Sequence, residues 1–293
     1  MPASPSFSPK VRYLLACLVV AAGSLLLAPR PLTAPLPERL EIADLTWVEL
    51  RALVAAGWTT AIVPSGGLEQ NGPHLAIGKH DRIVAVTAKR IAASLGRTLV
   101  TPVIPYVPQG AWDPPTGNMA FPGTIGVTPA AFEGTLEGIA RSLKAAGFRL
   151  VCLVADHGES LPAQQAVASR LTAEWARDGI RVLSVDGYTA DAAQRAYLKG
   201  EGETDESIGR HGGIQDTAEL MAASPDGVRL DRWRDKPFLS EPTGADGDPG
   251  RATPERGRRL LDLKIEAAVA EIRKAAATQD PPSEWPLRVS RSE

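Results

Sequence analysis

The sequence predicts an α/β protein whose mainly parallel sheet is covered by helices on both faces. Four short apolar runs predict buried strands, at residues 59–66, 98–107, 149–156 and 180–187. Longer segments with apolar residues at helical spacing lie between them. Because strands alternate with helices of ordinary length, the pattern favours a parallel sheet between two helical layers.

The predicted helices have recognisable first and last residues. Thr46 is placed to cap the first one, and Gly57 is placed to end it. Glycines end the next two in the same way. The predicted helices cover residues 45–57, 82–96, 129–147, 161–178, 214–223 and 254–277.

The two ends of the chain differ from its body, which we expect to be one domain at residues 38–279. Lys10 and Arg12 precede an uncharged run of about 16 residues and a proline-rich linker, which predicts a secretory signal within residues 1–34. The run is short for a membrane span, and a retained N-terminal anchor is the alternative. We therefore expect an exported protein, periplasmic or secreted. The tail at residues 280–293 is expected to be poorly ordered.

Composition excludes some classes of function. The formal net charge is −2 and aromatic residues make up 5% of the chain, so neither a basic face nor a stacking platform for nucleic acid is expected. Once the leader is removed, Cys152 is the remaining cysteine. It lies in an apolar run and is expected to be a buried small hydrophobe.

Histidines and carboxylates cluster where predicted strands end. The residues concerned are Glu69, His74, His80, Asp81, Asp156, His157, Glu159 and His211. The carboxyl ends of parallel strands meet at one edge of a sheet, where ligands bind. Imidazole and carboxylate bind Zn²⁺ and Mn²⁺, and a divalent ion would relieve the repulsion between carboxylates. Taken singly, each residue has an ordinary alternative, such as Asp156 capping the helix that follows it.

Five blocks of the sequence, in the same order, resemble the creatininase (creatinine amidohydrolase) family. The first, ‘PSGGLEQNGPHLAIGKHD’ at 64–81, is similar to the family pattern P-x-G-[SA]-x-E-Q-H-G-P-H-L-P-L-x-T-D. The segment ‘ADHGES’ at 155–160 resembles N-G-H-G/Y-x-N. The others are ‘FPGTIGVT’ at 121–128, ‘HGGIQDTAELM’ at 211–221 and ‘GDPGRATPERGRRLLD’ at 247–262. The resemblance covers about residues 45–275, nearly the whole chain that follows the expected leader.

The resemblance implies a three-layer α/β/α fold, often in a homo-oligomer such as a hexamer, and a metal-dependent amidohydrolase. It implies two adjacent divalent ions, Zn or Mn. Glu69, Asp81 and His157 would bind the first ion. Asp81 would also bridge to the second, which Glu159 would bind.

The chain departs from the family pattern at two ligand positions. Asn71 stands where the family has a histidine, and Asp81 falls one residue later than expected, beside His80. We expect a bulge that lets His80 supply the missing imidazole. A site that binds a single ion tightly is the alternative.

The remaining expectations concern the substrate pocket. By the resemblance, His211 would polarise the scissile carbonyl or shuttle a proton, a role that Glu159 could share. Asn71, His74, Trp112 and Arg210 are the other expected pocket residues. Arg210 replaces a glutamate that the family often has there, which favours a substrate with a carboxylate.

These observations predict an exported hydrolase that cleaves a C–N amide bond, linear or cyclic, through a metal-activated water. Its partner would be a small-molecule amide, with no nucleic acid and with membrane contact only through an uncleaved N-terminal segment. The alternative is a non-catalytic binding or scaffold protein with a degraded metal site. A sugar-modifying α/β enzyme is disfavoured, because it would need nucleotide-binding glycines and the sequence has no GxGxxG or P-loop string.

Overall fold

Four parallel strands form the central sheet in the computed structural model, which describes residues 40–234 and 243–277. They are β1 (Thr60–Ser65), β2 (Thr98–Val100), β3 (Leu150–Ala155) and β4 (Arg181–Ser184), in the spatial order β2-β1-β3-β4. Ser65 pairs with Ala155, so β1 and β3 end together. The loops that follow these two central strands therefore start side by side.

Helices flank the sheet. Their bounds are α1 Trp47–Ala55, α2 Lys79–Leu95, α3 Pro129–Ala145, α4 Leu161–Glu174, α5 Asp191–Gly200, α6 Asp205–Ile208, α7 Ile214–Ala223, α8 Leu230–Arg234 and α9 Pro254–Ala277. The sequence predicts α7 and α9 to the residue. Thr46 caps α1 in a capping box with Glu49, as expected. Helix α5 was not predicted from the sequence. Its buried side chains are Gln194 and Leu198, and two such residues do not form a clear apolar stripe.

The alternation of side chains along the strands divides the core into two halves. Ala61 and Leu153 belong to the cluster that contains the apolar residues of α1, α3 and α4. Ile62 and Cys152 belong to the cluster that contains those of α2 and α9. The three-layer α/β/α prediction is therefore confirmed. Cys152 is fully buried, and burial raises the pKa of its thiol, so it is an inert core residue.

The second predicted strand is shorter than expected. It ends at Val100 instead of residue 107, because Pro102 and Pro105 have no backbone N–H for a regular ladder. The chain still follows β1, with Ile104 N donating to Pro64 O at 2.9 Å.

The expected leader within residues 1–34 and the expected tail at 280–293 lie outside the described residues, so both stay predictions, as do the domain bounds. Within residues 40–234 and 243–277, no helix has the length and apolar character that a membrane crossing requires.

Candidate metal centre

Close contact between a glycine and a helix places Glu69. After β1 the chain passes Gly66, where an added Cβ would lie 2.6 Å from the Cα and backbone N of Asp81. Gly67 follows with φ of +147°, a conformation that favours glycine. The loop can therefore run directly against the start of α2 and bury Glu69 there.

His80 reaches Glu69 from the first turn of α2. The helix begins at Lys79, three residues before the predicted start, so the expected bulge is wrong and His80 is helical. Its Nε2 lies 2.7 Å from Glu69 Oε2, and its Nδ1 lies 2.8 Å from Asp156 Oδ2. Asp156 is the first residue after β3.

Asp81 does not take part in this group. Consecutive helical residues point about 100° apart, so His80 and Asp81 cannot both face Glu69. Asp81 Oδ1 instead accepts a hydrogen bond from Gly67 N at 2.9 Å, and burial raises the pKa of this carboxyl. The expectation that Asp81 bridges two ions is corrected by this geometry.

Two further histidines approach the same carboxylate. His157, which follows β3, has Nε2 3.2 Å from Glu69 Oε1. His211 Nε2 also lies 3.2 Å from Glu69 Oε1, and its Nδ1 lies 2.8 Å from Gly244 O. Asp246 fixes the His211 loop, since Oδ1 accepts from His211 N at 2.7 Å. Three imidazoles thus surround one buried carboxylate.

The electrostatics of the cluster favour positive charge beside Glu69. Burial alone would raise the pKa of Glu69, but hydrogen bonds from its three histidine neighbours hold it well below its usual range. Burial alone would lower the pKa of His80, but hydrogen bonds to Asp156 and Glu69 raise it. His211 has a raised pKa because Glu69 outweighs burial there too.

The donor atoms fit a divalent cation. His80 Nδ1–H can donate to Asp156, and His211 Nδ1–H can donate to Gly244 O, which turns both Nε2 lone pairs toward Glu69 oxygens. Lone pairs cannot face each other at hydrogen-bond distance unless a proton or a cation lies between them. Ligand atoms of Glu69, His80 and His157 all lie within 4.8 Å of one another, the one such group in the described part of the chain. This set suits Zn²⁺ or Mn²⁺.

A buried ion-pair network holds Asp156 in place. Its Oδ1 accepts from Lys264 Nζ at 2.8 Å and from Tyr188 OH at 2.9 Å. Lys264 also donates to Glu219 Oε2 at 3.0 Å. Burial would raise the pKa of Asp156, but Lys264 and His80 hold it well below its usual range. The sequence analysis missed Lys264, although a lysine on the apolar face of a helix was a usable signal.

The cluster lies in the wall of a cavity of 380 Å³, a size suited to a small molecule. His211, Arg210 and Glu159 also line it. The carboxylate of Glu159 lies outside the Glu69 group, so it does not join the ligands of the first ion, and its expected binding of a second ion stays a prediction. Its part in proton transfer stays a prediction.

The other expected pocket residues take different places. Asn71 is buried, and its Nδ2 donates to Glu69 O at 3.1 Å and Oε2 at 3.4 Å. His74 Nε2 pairs with Thr217 Oγ1 at 2.9 Å, behind the cavity wall. Trp112 is 54% exposed. Asn71, His74 and Trp112 do not line the cavity, which corrects their placement as pocket residues, whereas Arg210 does line it.

Asn118 is a neighbour of Glu69 that the sequence analysis missed. Its Nδ2 donates to Glu69 Oε1, and its Oδ1 accepts from Gln70 Nε2 at 3.1 Å. A single asparagine in a Gly/Pro-rich loop carries no signal that would have identified it.

Comparison with known proteins agrees with this fold and identifies the family. The model of the family Creatininase, described as creatinine amidohydrolase, matches residues 43–272. The creatinine amidohydrolase of Pseudomonas putida is 31% identical over 252 residues, which cover 80% of this chain and 96% of that protein. The mycofactocin precursor peptide peptidase of Mycobacterium ulcerans (strain Agy99) is 27% identical over 239 residues, which cover 73% of this chain and 85% of that protein. A solved manganese creatininase superposes with a TM-score of 0.66 and 28% identity, covering 81% of this chain and 99% of that one. The chain therefore belongs to the creatininase family of hydrolases.

Proposed function

We propose that this chain is an exported, metal-dependent hydrolase that cleaves a C–N amide bond, linear or cyclic and other than a peptide bond, in a small molecule. The observation that carries the proposal is the buried Glu69 carboxylate, with imidazole nitrogens directed at it from His80, His157 and His211 in the wall of a 380 Å³ cavity. The similarity to a creatinine amidohydrolase supports the same reaction class.

Glu69, His80 and His157 are the residues that would hold the ion, Zn²⁺ or Mn²⁺. Such an ion, when bound, polarises a carbonyl and lowers the pKa of a water. The chain's own hydrogen bonds orient one of these ligands, His80. Asp156 accepts from His80 Nδ1, which fixes the ring and presents Nε2.

His211 is the residue best placed to move a proton. Its side chain is 30% exposed and lines the cavity, whereas Glu69 beneath it is 2% exposed. The hydrogen bond from Nδ1 to Gly244 O fixes the ring, so Nε2 can accept a proton and return it to a leaving nitrogen. Glu159 lines the same cavity and is the second candidate for this step.

Arg210 favours a substrate that carries a carboxylate. The two lysines in the cavity wall are already paired, Lys79 with Asp216 at 2.7 Å and Lys264 with Asp156 at 2.8 Å. Arg210 makes no ion pair with any of the described residues. Its guanidinium is therefore available to a carboxylate on the substrate.

A substrate panel tests the reaction class. Creatinine, other lactams and linear amides would be assayed in pairs with and without a carboxylate, together with short peptides. We expect hydrolysis of a non-peptide amide that a chelator abolishes and Zn²⁺ or Mn²⁺ restores. We also expect Arg210→Ala to raise KM about 10-fold for carboxylate-bearing members only. If only the peptides are hydrolysed, the protein is a peptidase and the proposed non-peptide substrate class is wrong. If a chelator does not reduce hydrolysis, the proposed metal dependence is wrong.

A non-catalytic binding protein is the second candidate. Asn71 in place of a histidine, and the positions of Asp81 and Glu159 outside the cluster, favour it. Metal content separates the two functions. A folded protein that takes up no Zn²⁺ or Mn²⁺ would support the binding protein and exclude the hydrolase.

The chain is also proposed to be exported and to form a homo-oligomer. The basic start, the uncharged run and the proline-rich linker support export. Expression in a bacterial host, followed by fractionation and N-terminal sequencing, would show a shortened periplasmic or secreted chain, and an intact membrane-bound chain would indicate an anchor instead. Light scattering after gel filtration should show a homo-oligomer.

A further inference from the structure

We propose that this centre is built for one divalent ion, bound by Glu69, His80 and His157, and that Asp156 positions His80 for it. The inference rests on the proposed function, since it specifies the metal site of that hydrolase. The family resemblance implies two ions, so this would be a departure specific to this chain.

The first step is the loss of a bridging carboxylate. In the two-ion site that the resemblance implies, one carboxylate bridges the ions. The resemblance assigns that role to Asp81, but Asp81 packs against Gly66 and accepts from Gly67 N. If α2 turned to direct Asp81 at Glu69, His80 would lose its contact with Glu69, because consecutive helical residues point about 100° apart.

The second step concerns the other groups that a second ion would need. Asn71, where the family has a histidine, directs Nδ2 at Glu69 O and Oε2. An amide oxygen is in any case a poor ligand for Zn²⁺. Asp216 and Glu219 in the cavity wall are paired with Lys79 and Lys264. Glu159 and Asp191 also line the cavity, but a second dication that needs more ligands than these would have to break the ion pairs or bind to weak partners.

The third step concerns Asp156. Its Oδ2 faces His80 Nδ1, and its Oδ1 accepts from Lys264 and Tyr188. Both oxygens are therefore occupied, and Asp156 cannot coordinate an ion without breaking the network. It can orient His80, because a carboxylate on one ring nitrogen fixes the tautomer that presents the other to a metal. His80 therefore directs Nε2 at Glu69, while Asp156 contacts the other nitrogen of the same ring.

Ion counting tests the stoichiometry. Metal-free protein would be titrated with Zn²⁺ by calorimetry, and bound zinc would be counted by mass spectrometry after gel filtration. We expect one ion per chain in the wild type and in Glu159→Gln, and loss of the tight site in His80→Ala. Two ions in the wild type would overturn the inference, and a fall to one ion in Glu159→Gln would assign the second ion to Glu159. The inference would also be overturned if His80→Ala left the zinc affinity unchanged while Asn71→Ala weakened it.

A matched pair of variants tests the positioning role. Asp156→Asn and Glu219→Gln each remove a buried charge that pairs with Lys264, but Asp156 contacts His80 and Glu219 does not. We expect Asp156→Asn to weaken Zn²⁺ affinity about 10- to 100-fold, and Glu219→Gln to change it much less. Equal effects would show that Asp156 acts only through stability. The unfolding free energy of each variant, measured in urea without zinc, separates the two roles.

The outcomes distinguish this inference from the proposed function. One bound ion with no amide hydrolysed would overturn the proposed reaction but support the single-ion site. Two ions with chelator-sensitive hydrolysis would do the opposite. A wild-type protein that binds no zinc and no manganese would overturn both.

Discussion

His80 Nε2 lies 2.7 Å from Glu69 Oε2, which joins the first turn of α2 to the loop that follows β1. The same ring contacts Asp156, at the end of β3, through its other nitrogen. One imidazole therefore connects the loops of the two central strands at the carboxyl edge of the sheet, where a parallel sheet is expected to bind its ligand.

The first prediction separates a metal ligand from a proton carrier. Zinc at about 100 times its Kd should stabilise the wild type by about 2.7 kcal/mol, and a chelator should reverse this. His211→Ala should keep most of this stabilisation but lose about 100-fold or more of the hydrolysis rate. Differential scanning fluorimetry and an amide assay measure the two effects. Loss of zinc stabilisation in His211→Ala would make His211 a ligand instead.

The second prediction concerns Gly66. A Cβ there would lie 2.6 Å from backbone atoms of Asp81, so Gly66→Ala must push the loop away from α2. We expect Gly66→Ala to lower the free energy of unfolding by about 1–3 kcal/mol and to weaken zinc binding. Gly138→Ala on α3 is the control, because its Cβ meets no atom within 4 Å and alanine favours a helix. If both variants unfold at the same urea concentration, the close approach at Gly66 is not a constraint.

The third prediction concerns Lys264. Lys264→Met should lower the free energy of unfolding by about 3–5 kcal/mol, because it leaves Asp156 and Glu219 as buried carboxylates without their cation. The exposed ion pair between Arg258 and Glu255 is the control. Removing one of its two charges should lower the free energy of unfolding by less than about 1 kcal/mol. Urea denaturation measures both. Similar small losses in the two variants would show that the buried pairs contribute little.

The fourth prediction concerns acid stability and His74. Burial lowers the pKa of His74 from 6.5 to about 4, so folding withholds a proton that the unfolded chain binds. This depressed pKa means that stability is present above pH 6.5 and is lost as the pH falls toward 4. The full shift corresponds to about 3 kcal/mol. Between pH 6.5 and 4, His74→Gln should lose less stability than the wild type in urea denaturation. Equal losses in the two proteins would contradict this.

Local chemistry made parts of the site predictable and left others open. Glu69 and His157 were predictable because strand ends and family blocks fix their places along the chain. The sequence wrongly predicted Asp81 as a bridging ligand and placed His80 on a bulge instead of in a helix. The start of α2 depends on Gly78, a weak cap, and a shift of three residues changes which side chain faces Glu69. Lys264 comes from a helix more than 100 residues from Asp156 along the chain, and no local pattern relates the two.

The sequence by itself determined the order of the four strands and of the helices other than α5, α6 and α8, the parallel sheet with its two helical layers, and the edge at which histidines and carboxylates gather. These follow from short-range patterns of apolar residues and from the rule that parallel strands end on one side. Only the tertiary structure decided which of the gathered side chains face Glu69. That choice depends on the rotation of α2 against Gly66 and on the partners, Lys264 and Tyr188, that hold Asp156 behind His80. Contacts between distant segments set both, because a shift of about 100° per residue around a helix axis is enough to exchange one ligand for another.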